Sequence, residues 1–121
     1  MDSLKIIEIS ANSLNNKKAK NLNVIKVEEL TSIAEYFVIA TASSSTHVHS
    51  LADEVEEKLK EIGVEPHHIE GRATGWIVLD YGSVIVHIFT PDSREFYNLD
   101  KMWSEGVSLN LDNILKEAEG D

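Results

Sequence analysis

Apolar positions recur along this chain with two different periods. Val48, Leu51, Ala52, Val55, Leu59 and Ile62 follow the i, i+3, i+4, i+7 spacing of one helical face. Asp53, Glu54, Glu56, Glu57, Lys58, Lys60 and Glu61 fill the opposite face, where Glu54 and Lys58, and Glu56 and Lys60, stand four apart with favourable orientation. The hydroxyl run from Ser43 to Thr46 supplies an N-cap, and Gly63 marks the stop. A first helix is expected across residues 4–20, from Leu4, Ile7, Ala11 and Leu14, with Lys17, Lys18 and Lys20 near the end that favours cations.

Between and after these segments the pattern shortens to that of strands. Val24–Val27 is a β-branched run, and residues 35–41 are apolar almost throughout, which suits a central strand buried on both faces. Leu30–Ala34 reads as a connector and Pro66–Glu70 as a short extended piece. Trp76–Tyr81 and Val84–Thr90 are two strands joined at Gly82-Ser83, a two-residue hairpin signal. Pro91 opens a short helix carrying Arg94, Glu95, Phe96 and Tyr97, and Gly106 interrupts the chain. Leu109, Leu111, Ile114 and Leu115 predict an acidic C-terminal helix. The order α-β-β-α-β-β-β-α implies one domain over residues 1–121: a single mixed sheet of about five strands flanked by helices, with 104–121 as a helical extension.

The hairpin turn fixes a register, pairing Trp76 with Phe89, Ile77 with Ile88, Val78 with His87, Leu79 with Val86 and Asp80 with Ile85. One face then carries Ile77, Leu79, Val84, Val86 and Ile88, with Tyr81 at the tip, and is core. The other carries Trp76, Val78, Asp80, Ile85, His87 and Phe89. A carboxylate and an imidazole among aromatics suit two readings equally: a face covered by a helix with wet edges, or a patch that binds a partner.

Composition narrows the partners. With 11 basic against 21 acidic side chains, a net charge of −10, a broad phosphate-binding face is not expected. The acidity would attract a basic protein surface, though taken alone it is better read as keeping a small domain soluble. The chain has no cysteine, so there is no disulfide framework, thiolate zinc site or cysteine nucleophile. No run approaches the roughly 20 apolar residues of a membrane span, and the first residues lack a signal-peptide pattern, so a cytoplasmic location is expected.

The segments Trp76–Gly82, Val84–Phe89, Ser93–Leu99 and Met102-Trp103 resemble the signature of the ribosomal silencing factor family, also called Iojap-like. Tyr36–Thr41, Ser44-Ser45, His47-Val48, Leu51–Val55 and Glu70-Gly71 match as well, so the likeness runs over about residues 4–104. Glu35, Ala42 and Ser83 depart from the family pattern without removing an anchor. The resemblance implies a homodimeric factor with an α/β fold of nucleotidyltransferase-like shape. It implies binding to the large ribosomal subunit through its fourteenth protein, occlusion of the small subunit, and repression of translation when nutrients are scarce. Little direct nucleic-acid contact and no cofactor are expected. Partner contacts fall on Trp76, Tyr81, Phe89 and Tyr97, with Asp80, Arg94 and Glu95 as polar support.

The competing reading is a nucleotide-processing enzyme. A Gly-Ser turn ahead of metal-binding carboxylates would serve nucleotidyl transfer, but the strand after Gly82-Ser83 contains no Asp or Glu. The histidines make a poor metal site: His47 and His49 do not share a helix face, and His67 and His68 point opposite ways. No catalytic or metal-binding residues are expected.

Overall fold

The computed structural model describes residues 2–71 and 74–115. Its first helix, α1 (Ser3–Asn16), is capped by Asp2, whose carboxylate accepts from the Leu4 amide at 3.1 Å. It buries Ile6, Ile7, Ala11 and Leu14. The helix stops before the lysines that the pattern placed at its end, because Lys18 takes a positive φ of 69° and turns the chain into β1 (Lys20–Lys26).

β1 runs antiparallel to β2 (Tyr36–Thr41), which is buried along nearly its whole length, as its unbroken apolar run predicts. After β2 the Ser44 hydroxyl accepts from the His47 amide at 3.1 Å and starts α2 (Ser45–Lys60). One hydroxyl of the run therefore caps, while the Ser43 amide donates to His47 Nδ1 at 2.8 Å and His47 Nε2 lies 2.8 Å from the Lys17 carbonyl. This imidazole stitches the end of α1 to the start of α2.

β3 (His68–Glu70), β4 (Trp76–Asp80) and β5 (Val84–Phe89) form an antiparallel meander, and β5 returns parallel to β2. The hairpin register is the one the turn predicts, pair for pair from Trp76–Phe89 to Asp80–Ile85. Gly82, at φ +87°, makes the turn in a backbone region that side chains disfavour, and Asp80 Oδ1 accepts from its amide at 2.7 Å.

Beyond β5, Thr90 and Pro91 start α3 (Pro91–Tyr97). Asn98, left-handed at φ 46°, joins it to α4 (Leu99–Met102). The C-terminal helix expected from Leu109 to Leu115 does not form there. Val107–Ser108 instead add β6 to the edge of β1, and Leu111–Asn113 make one 3-10 turn capped by Asn110. Leu109, Leu111 and Ile114 pack against the core across that turn, so their spacing reflects a bent segment rather than a helical face. The rest of the expected extension lies outside the described residues.

The fold is thus α/β, with a mixed sheet of six strands among the described residues in the order β3-β4-β5-β2-β1-β6. Two cores flank the sheet. The larger lies under α1 and α2 and holds Ile7, Leu14, Val38, Leu51, Val55, Ile77, Leu79, Val86 and Ile88. The smaller lies on the opposite face and holds Ile25, Phe37, Ile39, Ile85, Phe89 and Leu99, with Trp76 and Trp103 at its margin. No helix of the described residues is long and apolar enough to cross a membrane.

Candidate functional site

The second face of the hairpin, open to two readings in the sequence, is covered over part of its area and open at its edge. Phe89 is fully buried and His87 nearly so. Trp76, half-buried at the start of β4, stacks on Phe89 with centroids 5.0 Å apart and planes 23° apart. Tyr97 of α3 closes on the same indole at 4.6 Å, and Phe96 meets Tyr97 edge-on at 5.0 Å. The aromatic series continues inward through His87, Phe37 and Trp103.

α3 buries none of its residues, and Phe96 is 80% exposed. Met102 of α4 is exposed too. Phe96 on α3 and Met102 on α4 thus leave large apolar side chains outside the core, the composition that exposed interaction patches have. Beside Trp76 and Tyr97, a cleft lined by Glu70, Gly71, Thr74, Gly75, Val78 and Ser93 gives that surface relief.

A polar clamp keeps α3 in place. Arg94 donates through Nε and Nη2 to the two carboxylate oxygens of Asp100, at 2.8 and 3.0 Å, and through Nη1 to Thr41 Oγ1 at 2.9 Å. Asn23 Nδ2 completes the group on Asp100 at 2.8 Å. Partial burial works to raise the Asp100 carboxyl, but hydrogen bonds from Arg94 and Asn23 and the nearby guanidinium outweigh it and hold the group below its ordinary value. Helices α3 and α4 are thereby tied to β1 and β2.

The seven residues singled out in the sequence divide by this geometry. Half-buried Trp76 and exposed Tyr97 form the aromatic pair at the surface, and Glu95 is exposed beside Phe96. Phe89 is the floor beneath the pair, not a surface, because the Trp76 and Tyr97 rings cover it. Tyr81 lies on the opposite side of the sheet, in the larger core, with its hydroxyl buried and lacking a hydrogen-bond partner among the described residues. Burial, with Glu56 adding to it, pushes that hydroxyl well above the usual tyrosine value. Arg94, expected as polar support of the surface, clamps Asp100 of its own chain, and Asp80 is engaged in the hairpin turn.

The sequence places Phe96 in the Arg94–Tyr97 segment without singling it out as an anchor, and gives no role to Met102 or the Asn23–Asp100 link. Phe96 had a signal, since two adjacent aromatics on a seven-residue helix cannot both face the sheet. The Asp100 link had none, as it joins residues 77 apart in the chain. Among the described residues no group of three or more His, Asp or Glu side chains is placed to hold a metal ion.

Geometry therefore defines an α/β domain that presents a buttressed aromatic surface at one edge of its sheet. The family model described as ribosomal silencing factor during starvation matches residues 1–121, reaching past the segment over which the motifs were legible. Ribosomal silencing factor RsfS of Bacillus subtilis is 31% identical over 113 residues, covering 93% of this chain and 96% of the relative. Protein Iojap, chloroplastic, of Zea mays is 31% identical over 98 residues, covering 78% of this chain and 41% of the relative. A crystal structure of a Chromobacterium violaceum protein superposes with a TM-score of 0.82 at 31% identity, covering 86% of this chain and 88% of that one. The chain belongs to the ribosomal silencing factor family, and its class is that of a regulator and not an enzyme.

Proposed function

We propose that this protein represses translation by steric occlusion. It binds the large ribosomal subunit through the fourteenth protein of that subunit, on the face that receives the small subunit, and so prevents the two from joining when nutrients are limiting. Trp76 and Tyr97 are the buried anchors of that contact, with Phe96 extending the apolar area and Glu95 meeting a basic partner group. Phe89 holds the anchors from below. Arg94 and Asp80 support the surface by fixing α3 and the hairpin turn, and Tyr81 supports it from the far side of the sheet.

The observation that carries this reading is the exposure of Phe96 and Tyr97 on a helix that buries nothing, set against an indole stacked on a rigid strand pair. Aromatic anchors with a polar rim are the composition of interface hot spots. The net charge of −10 suits a basic ribosomal protein and disfavours direct contact with RNA. A cytoplasmic homodimer is part of the proposal. Co-sedimentation with separated subunits tests it: the protein is expected in the large-subunit pellet, and light scattering should show fewer joined ribosomes. Association with small subunits alone would overturn the reading.

A further inference from the structure

Trp76 and His87 sit diagonally on the same face of the β4–β5 ladder, two residues out of register, close enough for large side chains to meet. The indole Nε1–H donates to His87 Nδ1 at 3.2 Å. With Nδ1 accepting, the neutral ring carries its proton on Nε2. That Nε2 is buried and has no hydrogen-bond partner among the described residues.

A histidine with one nitrogen unpaired is a poor choice for packing alone, since a buried donor without an acceptor is destabilising. Its polar contact is with Trp76, and its own ring is held fast. It stacks on Phe89 with planes 12° apart and meets Phe37 edge-on at 4.8 Å. His87 is therefore a fixed acceptor.

Stacking does not select one orientation of the indole. Rotation about the terminal ring torsion, which is broad and roughly two-fold for aromatic side chains, would keep contact with Phe89 and Tyr97 while reversing which edge faces outward. The hydrogen bond distinguishes the two.

We infer that His87 is a positioning residue for docking: it locks the Trp76 indole in one orientation, so that a partner meets a preformed surface. The inference rests on the reading of Trp76 as a partner contact. Leaving the ring free would require the partner to order it, which weakens binding roughly three- to tenfold for one immobilised side chain.

The test uses the full chain with the substitutions His87→Leu, His87→Gln and Trp76→Ala, each confirmed as folded by circular dichroism. Two quantities are measured: solvent exchange of the Trp76 indole proton by NMR, and affinity for purified large subunits. The wild-type indole proton should be protected. His87→Leu should lose that protection and bind three- to tenfold more weakly, and His87→Gln, whose side-chain carbonyl can accept, should regain both. A folded His87→Leu variant that binds as wild type, or a wild-type indole proton in fast exchange, overturns the inference. If His87→Leu does not fold, wild-type exchange and the His87→Gln affinity decide it. Normal binding by Trp76→Ala would instead remove the interface reading itself, and the positioning role with it.

Discussion

Arg94 grips Asp100 in a two-bonded fork, with N–O distances of 2.8 and 3.0 Å, and so fixes the short helix that carries Phe96 and Tyr97 to strands far away in sequence. The Arg94 side chain is only 13% exposed. Removing it strands a partly buried carboxylate, so Arg94→Ala is expected to destabilise the domain by about 2–3 kcal/mol. Urea unfolding measures this. Arg94→Lys should recover little of it, because an ammonium cannot reproduce the planar fork while also reaching Thr41.

Phe89 and Phe96 stand seven residues apart and should behave oppositely. Phe89→Ala opens a cavity in a sealed core and is expected to cost about 3–5 kcal/mol. Phe96→Ala alters a ring that is 80% exposed and should change stability by less than about 0.5 kcal/mol, while weakening attachment to large subunits. Thermal unfolding and co-sedimentation, run on both variants, check the contrast.

Acid should loosen the smaller core through His87. Burial lowers its value from 6.5 to about 4. The folded value lies below the unfolded one, so the stabilisation from keeping the ring neutral is complete above about pH 6.5 and is lost as pH falls through about 4. The full difference is roughly 3 kcal/mol. Asp100, also held low, works in the same direction, with a contribution present above the ordinary carboxylate value and lost as pH falls through its folded one. Urea midpoints should therefore decline between pH 7 and pH 4.5, and the His87 ring signals should show little protonation across that interval.

Capping of α2 offers a local check. Ser44→Ala removes the acceptor for the His47 amide and is expected to cost about 1 kcal/mol, whereas Ser45→Ala, inside the first turn, should cost far less.

Local rules made the hairpin legible. A two-residue turn at Gly82-Ser83 sets the register, and alternation then sorts Ile77, Leu79, Val86 and Ile88 from Trp76, His87 and Phe89. Helix α2 was equally plain from its apolar stripe. Two features escaped because they depend on what packs above the sheet. Whether the Trp76 face is open or covered is decided by α3 and α4, which cover Phe89 and leave Phe96 outside. The acceptor of Arg94 is not legible in the sequence, because Asp100 becomes its neighbour only when Asn98 turns left-handed and brings α4 back. The segment after Gly106 misled through its spacing, since Leu109, Leu111 and Ile114 reach the core from a bend.

The central claim is that the Trp76–Tyr97 surface attaches this protein to the large subunit. Its most direct test is the affinity of folded Trp76→Ala for purified large subunits, beside wild type. Losing a hot-spot anchor costs at least about 2 kcal/mol, so binding should weaken roughly thirtyfold or more. Wild-type affinity in a variant with native circular dichroism would contradict the account.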